Sequence, residues 1–147
     1  EKNDMELTIN GQVYQFNFGM GFMREMNKKV SMPVDGVKDV RKNIGLKYAV
    51  AEIMDGDIEV LVDLLDAANN GQNPRVTRDQ LDGYTDEPET DIDKVFEDTL
   101  GFLKTANATK KTVAEIEKAV AEEKERQETL KKTLEEFQKK AQSKKEQ

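Results

Sequence analysis

The chain has no cysteine and no histidine. The first absence removes disulfides, thiolate nucleophiles and cysteine zinc sites, and nothing points to an oxidising compartment. The second removes the commonest general base and the commonest metal ligand, so no enzyme, metal site or cofactor is expected and only carboxylate chemistry is left open. Long apolar runs are missing too. Residues 7–23 carry no charge, but Thr8, Asn10, Gln12, Gln15 and Asn17 interleave the apolar side chains. Such a stretch does not partition into lipid, and no membrane span or secretory signal is read.

Apolar residues make up 36% of the 147 and charged residues another 36%. That composition suits one domain with a modest core and an appendage solvated on most sides. Net charge is −7, unevenly spread. Residues 107–147 hold 11 Lys and Arg against 9 Asp and Glu, a net of +2, and the first 106 hold 12 against 21, a net of −9. An acidic body repels nucleic-acid phosphates and suits a basic protein partner.

The stretch 44–80 organises the rest. Leu46, Tyr48, Ala49, Val50, Ala51, Ile53 and Met54 make a helix apolar on most of its circumference, expected in the middle of the fold. Gly56 breaks it with a positive φ, and Asp57 caps the next helix. There Ile58, Leu61, Val62, Leu65 and Ala68 form one stripe at helical spacing. Asn69-Asn70-Gly71 and Pro74 end it.

Before this stretch, Glu1, Lys2, Asn3 and Asp4 are polar and are placed outside the fold. Leu7 and Ile9, then Val13, Tyr14, Phe16 and Phe18, flank Asn10-Gly11, the favoured pair for a two-residue type I′ turn, so a β-hairpin is expected. Phe22, Met23, Met26 and Val30 predict a short helix ended by Pro33. Met20, Met23, Met26 and Met32 fit either core gaps or an adaptable partner surface. Residues 37–43 read as a polar helix whose Lys38, Arg41 and Lys42 form a solvated face, with a phosphate or RNA contact as the lesser reading. Downstream, Thr77 and Gln80 form a capping box, opening a helix with Leu81 and Tyr84. Asp91 caps a helix carrying Ile92, Val95, Phe96, Thr99, Leu100, Leu103 and Ala106.

From residue 107 onward there is no Gly or Pro. Val113, Val120, Gln127, Leu134 and Ala141 fall at heptad position a; Ile116, Glu123, Leu130 and Phe137 fall at d. This predicts one long helix with a broken coiled-coil seam. A solvated helix that frays and a docking helix for a helical partner or a second copy both stay open.

Asp55, Asp57 and Glu59 do not make a calcium loop, because Val60 stands where the sixth-position glycine is needed. The acidic run Asp86, Glu87, Glu89, Asp91, Asp93, Glu97 and Asp98 reads as a solvated loop with helix N-terminal acids. A basic protein partner and a carboxylate-dependent hydrolase are the other readings of it. Gly19-Met20-Gly21 lacks the Lys and Ser/Thr of a phosphate-binding loop.

Three segments in order, MELTINGQVYQFNFGMGFMREMNK at 5–28, IGLKYAVAEIMDGDIEVLVDLLDAANNGQNPRVTRDQLDGY at 44–84 and ETDIDKVFEDTLGFLKTANATKK at 89–111, resemble the tail assembly chaperones of siphophages and related prophages of Gram-positive hosts. The likeness is one of a whole domain, not of a catalytic motif. It implies a non-enzymatic protein that binds and solubilises the helical tape measure protein in the host cytoplasm. It also implies help in recruiting tail tube subunits and absence from the mature virion. Members often make a longer product by programmed frameshifting, and Lys110-Lys111 lies where such a slip would fall.

The expected architecture is therefore mainly α with a small N-terminal β-hairpin (α+β). A helical domain over 1–106 is followed by a long charged helix over 107–147. Partner-facing residues are expected at Met23, Met26, Val113, Ile116, Val120, Leu130, Leu134 and Phe137. Self-association through the hairpin edge or the C-terminal helix is a second expectation. A coiled-coil adaptor acting through 107–147 is the alternative to the chaperone.

Overall fold

A computed structural model describes residues 4–146. Among them the chain forms β1 (Asp4–Ile9), β2 (Gln12–Asn17), α1 (Met20–Lys28), β3 (Ser31–Pro33), β4 (Arg41–Asn43), α2 (Gly45–Met54), α3 (Ile58–Asn69), α4 (Arg78–Asp86), α5 (Ile92–Thr105) and α6 (Lys110–Glu146). The mainly helical class with an N-terminal hairpin and a long last helix is the one expected. The chain divides into two compact units, Glu1–Ala114 and Glu115–Gln147.

The first hairpin follows its turn chemistry. Asn10 and Gly11 take φ of 52° and 80°, as a type I′ turn requires. Met5 then faces Phe16, and Leu7 faces Tyr14. Those residues and Ile9 point inward, while Glu6, Thr8 and Val13 are exposed. The strand starts earlier than expected. Asp4 pairs with Asn17, whose Nδ2 donates to Asp4 Oδ1 at 2.7 Å, so Asp4 belongs to the fold; the other three residues placed outside it (1–3) lie outside the described residues.

The hairpin's inner face and α1, α2 and α4 all pack on α3. Leu61, Leu64 and Leu65 of α3 are wholly buried. This helix, not α2, holds the middle: Tyr48 of α2 is 46% exposed, although Leu46, Ala49, Val50 and Ile53 are buried. Ile58, expected on the α3 stripe, sits at the helix's first position and is 46% exposed. Capping at the other starts runs as the sequence predicts. Asp57 Oδ1 accepts from the Val60 N–H at 3.1 Å, Asp91 Oδ1 accepts from the Lys94 N–H at 3.1 Å, and Thr77 and Gln80 make the reciprocal box.

Residues 37–43 are not a helix. Arg41–Asn43 pairs antiparallel with Ser31–Pro33 as a second small hairpin, so Pro33 lies in a strand instead of ending the first helix. Gly36 and Asp39 take φ of 76° and 63°, which no right-handed helix tolerates. The Val34 N–H donates to the Val40 carbonyl across the tip, and the Arg41 guanidinium binds Ser31.

The start of α2 depends on α1. No side chain of its own caps it; instead Asn27 Oδ1 of α1 accepts from the Leu46 N–H at 3.1 Å. The two helices approach so closely that a Cβ at Gly45 would stand 1.7 Å from the Met26 carbonyl oxygen. Only glycine fits there. Gly45→Ala is expected to lower unfolding stability by about 3 kcal/mol, since neither backbone can yield cheaply. Gly83→Ala, where an added Cβ meets open space inside α4, should be neutral or stabilising by up to about 1 kcal/mol. Urea midpoints of the two variants against the parent decide it.

Candidate protein-binding surfaces

Asn69 ends α3 fully buried and uses its whole amide. Nδ2 donates to the Gln15 carbonyl of β2 at 2.8 Å and to the Pro74 carbonyl at 3.3 Å. Oδ1 accepts from the Val76 N–H at 2.7 Å and from Arg75 Nη1 at 3.0 Å. One side chain thus ties helix, hairpin and the 70–77 loop together. Arg75 also reaches Asp66 at 2.9 Å, and Arg78 binds Asp63. Sequence reasoning took Asn69 only as one of the residues that end the helix, because its partners at Gln15 and Val76 are invisible in a linear reading.

That loop sets α4 against the hairpin tip, where Gln80 Nε2 donates to the Tyr14 hydroxyl at 3.1 Å. The result is an open cleft of about 650 Å³ lined by Thr8, Ile9 and Asn10 and by Asp79, Gly83, Tyr84, Glu87, Glu89 and Asp91. Its carboxylates are exposed, and among the described residues no three Asp or Glu stand close enough to hold a metal ion. The cleft offers hydrogen-bond acceptors and negative charge, which suit a basic or amide-rich partner surface. Burial, and then the nearby Asp98 charge, raise the Tyr84 phenol above its ordinary value.

A second, more apolar groove of about 500 Å³ runs along α5 between Leu100, Phe102 and Lys104. Phe102 is half-buried there and leans on Phe18, ring centroids 6.0 Å apart.

The residues expected to face a partner do not share one place. Met26 and Val113 lie inside the core, 2% and 1% exposed. Met23 is half-buried, its sulfur accepting from Asn27 Nδ2. Ile116 is half-buried. Val120, Leu130, Leu134 and Phe137 are exposed on α6, Phe137 by 70%. Because Thr109 is also buried, with its hydroxyl donating to the Leu103 carbonyl at 2.6 Å, the compact body carries the first turn of α6.

A family model of phage tail assembly chaperone proteins matches residues 6–118, from the first hairpin into α6. The chain belongs to the phage tail assembly chaperone family. No curated protein and no solved structure matches it. Membership of a chaperone family implies a non-enzymatic role and interaction with tail proteins. Among the described residues, no helix of this chaperone is long and apolar enough to cross a membrane.

Asn69→Leu should cost about 3 kcal/mol or more, because each buried group left without a partner costs about 1–3 kcal/mol. Asn70→Ala, at an exposed residue whose side chain binds Glu25, should stay within about 0.5 kcal/mol; chemical denaturation of both checks the contrast. Tyr84 gives a pH signature. Its folded-state pKa is raised, so its contribution to stability is complete below the unfolded-state value and is lost as pH rises through the folded one. Tyr84→Phe should therefore lose less stability than the parent between about pH 9 and about pH 11, read from urea midpoints at the two ends.

Proposed function

We propose that this chain binds the tape measure protein and keeps it soluble in the host cytoplasm. It also helps recruit tail tube subunits and leaves before the virion is complete. The observation that carries the reading is the family match over 6–118, which spans the folded body and not merely one motif. The physical features agree with it. A chaperone of a long helical client needs a charged exterior for solubility and accessible grooves for helices. The body supplies the charge, at −9 over its first 106 residues. The α5 groove at Leu100 and Phe102 supplies an apolar trough.

A second reading, the coiled-coil adaptor working through 107–147, is favoured by one observation. Leu130, Leu134 and Phe137 stand exposed on α6. Co-expression separates the two. A tape measure fragment that is insoluble alone should remain in the supernatant with the full chain and with residues 1–114, the compact body. Precipitation in both cases would sink the chaperone reading. Solubility only when residues 115–147 are present would hand the function to the adaptor.

A further inference from the structure

The seam on the second half of α6 is narrow and its borders carry one sign. Leu130, Leu134, Phe137 and Ala141 recur at intervals of four, three and four, the spacing of a heptad seam. The side chains beside that seam, at heptad positions e and g, are Lys124, Lys131, Gln138 and Lys145 on one edge and Arg126, Thr133 and Lys140 on the other. No acid stands among them. The acids from residue 124 onward, Glu125, Glu128, Glu135, Glu136 and Glu146, fall outside the seam and its edges at positions b, c and f. Arg126 binds Glu123 of its own helix at 2.5 Å and also feels the charge of Glu122.

We propose that this seam docks a client α-helix whose own apolar stripe is bordered by Asp and Glu, and that it does not pair with a second copy of the chain. Charge decides between the two occupants. In a parallel pair of identical α6 helices each g residue meets the e residue five further on in the partner. Arg126 would then meet Lys131, and Lys140 would meet Lys145. Glu123, at a d position, would face its own copy across the seam. An antiparallel pair sets e against e and g against g, which again brings lysine to lysine along residues 124–145. Like charges at these places select against self-pairing, while an acidic-bordered helix turns each of them into an attraction. A lipid surface fits less well. The apolar stripe is four side chains long, carries no second aromatic beside Phe137, and has Glu128, Glu135 and Glu136 behind it. This inference relies on the chaperone reading only for the client's identity; the helix-docking chemistry stands without it.

The test uses the full chain and two synthetic helical peptides of about three heptads, identical at apolar a and d. One carries Glu at every e and g position, the other Lys. Fluorescence anisotropy should show the Glu-bordered peptide binding at least about tenfold more tightly, with the gap narrowing in about 0.5 M salt as screening shortens the charge interaction. A Lys131→Glu, Lys140→Glu, Lys145→Glu triple variant should reverse the preference. Leu130→Ala with Phe137→Ala should abolish binding, while thermal unfolding of the body stays unchanged. Equal binding of both peptides, or binding of neither, overturns the proposal. So does a dimer in sedimentation that Leu134→Glu dissolves, because the second copy is then the occupant. Binding to anionic vesicles with loss in the same Leu130/Phe137 variant, and none to either peptide, also overturns it in favour of a membrane. Failure here with the tape measure fragment still held soluble sinks the seam alone. Precipitation of that fragment with peptide binding intact sinks the chaperone reading alone.

Discussion

α3 is surrounded by β2, α1, α2 and α4, and a helix enclosed on so many sides must satisfy its end without water. Asn69 meets that demand. Its amide takes two carbonyls and supplies an acceptor to the Val76 N–H and the Arg75 guanidinium, all from a position with no exposure. A leucine there would fill the volume and leave those groups desolvated, which costs more than the added apolar burial returns. The hairpin and the 70–77 loop are both tied to the end of α3 by this one side chain, through Gln15 on one side and Pro74, Arg75 and Val76 on the other.

What was legible in the sequence was local. Asn10-Gly11 announces its hairpin because the turn's φ angles are a property of two adjacent residues. The caps at Asp57, Thr77 and Asp91 announce their helices because donor and acceptor lie three residues apart. Gly45 and Asn69 were opaque for the opposite reason. Gly45 is required by the Met26 carbonyl of another helix, and Asn69 by a carbonyl 54 positions earlier. The second hairpin failed on length: strands of three residues show too little alternation to outweigh a basic run spaced like a helix. Met26 and Val113 carry the same apolar signal as Leu130 and Phe137. Periodicity finds an apolar face but not what covers it, and here two of those positions lie in the core while the others face solvent.

Acidity and basicity divide along the chain, and under the proposed helix-docking role the division has consequences. A net −9 over the first 106 residues opposes close approach of like bodies and slows aggregation. Residues 107–147 instead carry a small basic excess, and their lysines border the only extended apolar seam among the exposed residues described on α6. Moving them into the body would lower its net negative charge and strip the seam of its one-sign borders.

The narrowness of that seam is itself a constraint. A broad apolar face exposed on a chaperone would bind many helices and the chaperone's own copies, and large exposed patches are aggregation liabilities. Leu130, Leu134 and Phe137 give a strip one residue wide, too little apolar area to hold a partner by burial alone. Affinity must then be assembled from the strip together with charge at its edges, so it is set by the partner's sequence and weakens with salt. That combination suits a transient hold. Under the proposed docking role, a client gripped this way would be released when a competing surface buries its stripe more completely, and the charged edges would return to water at little cost.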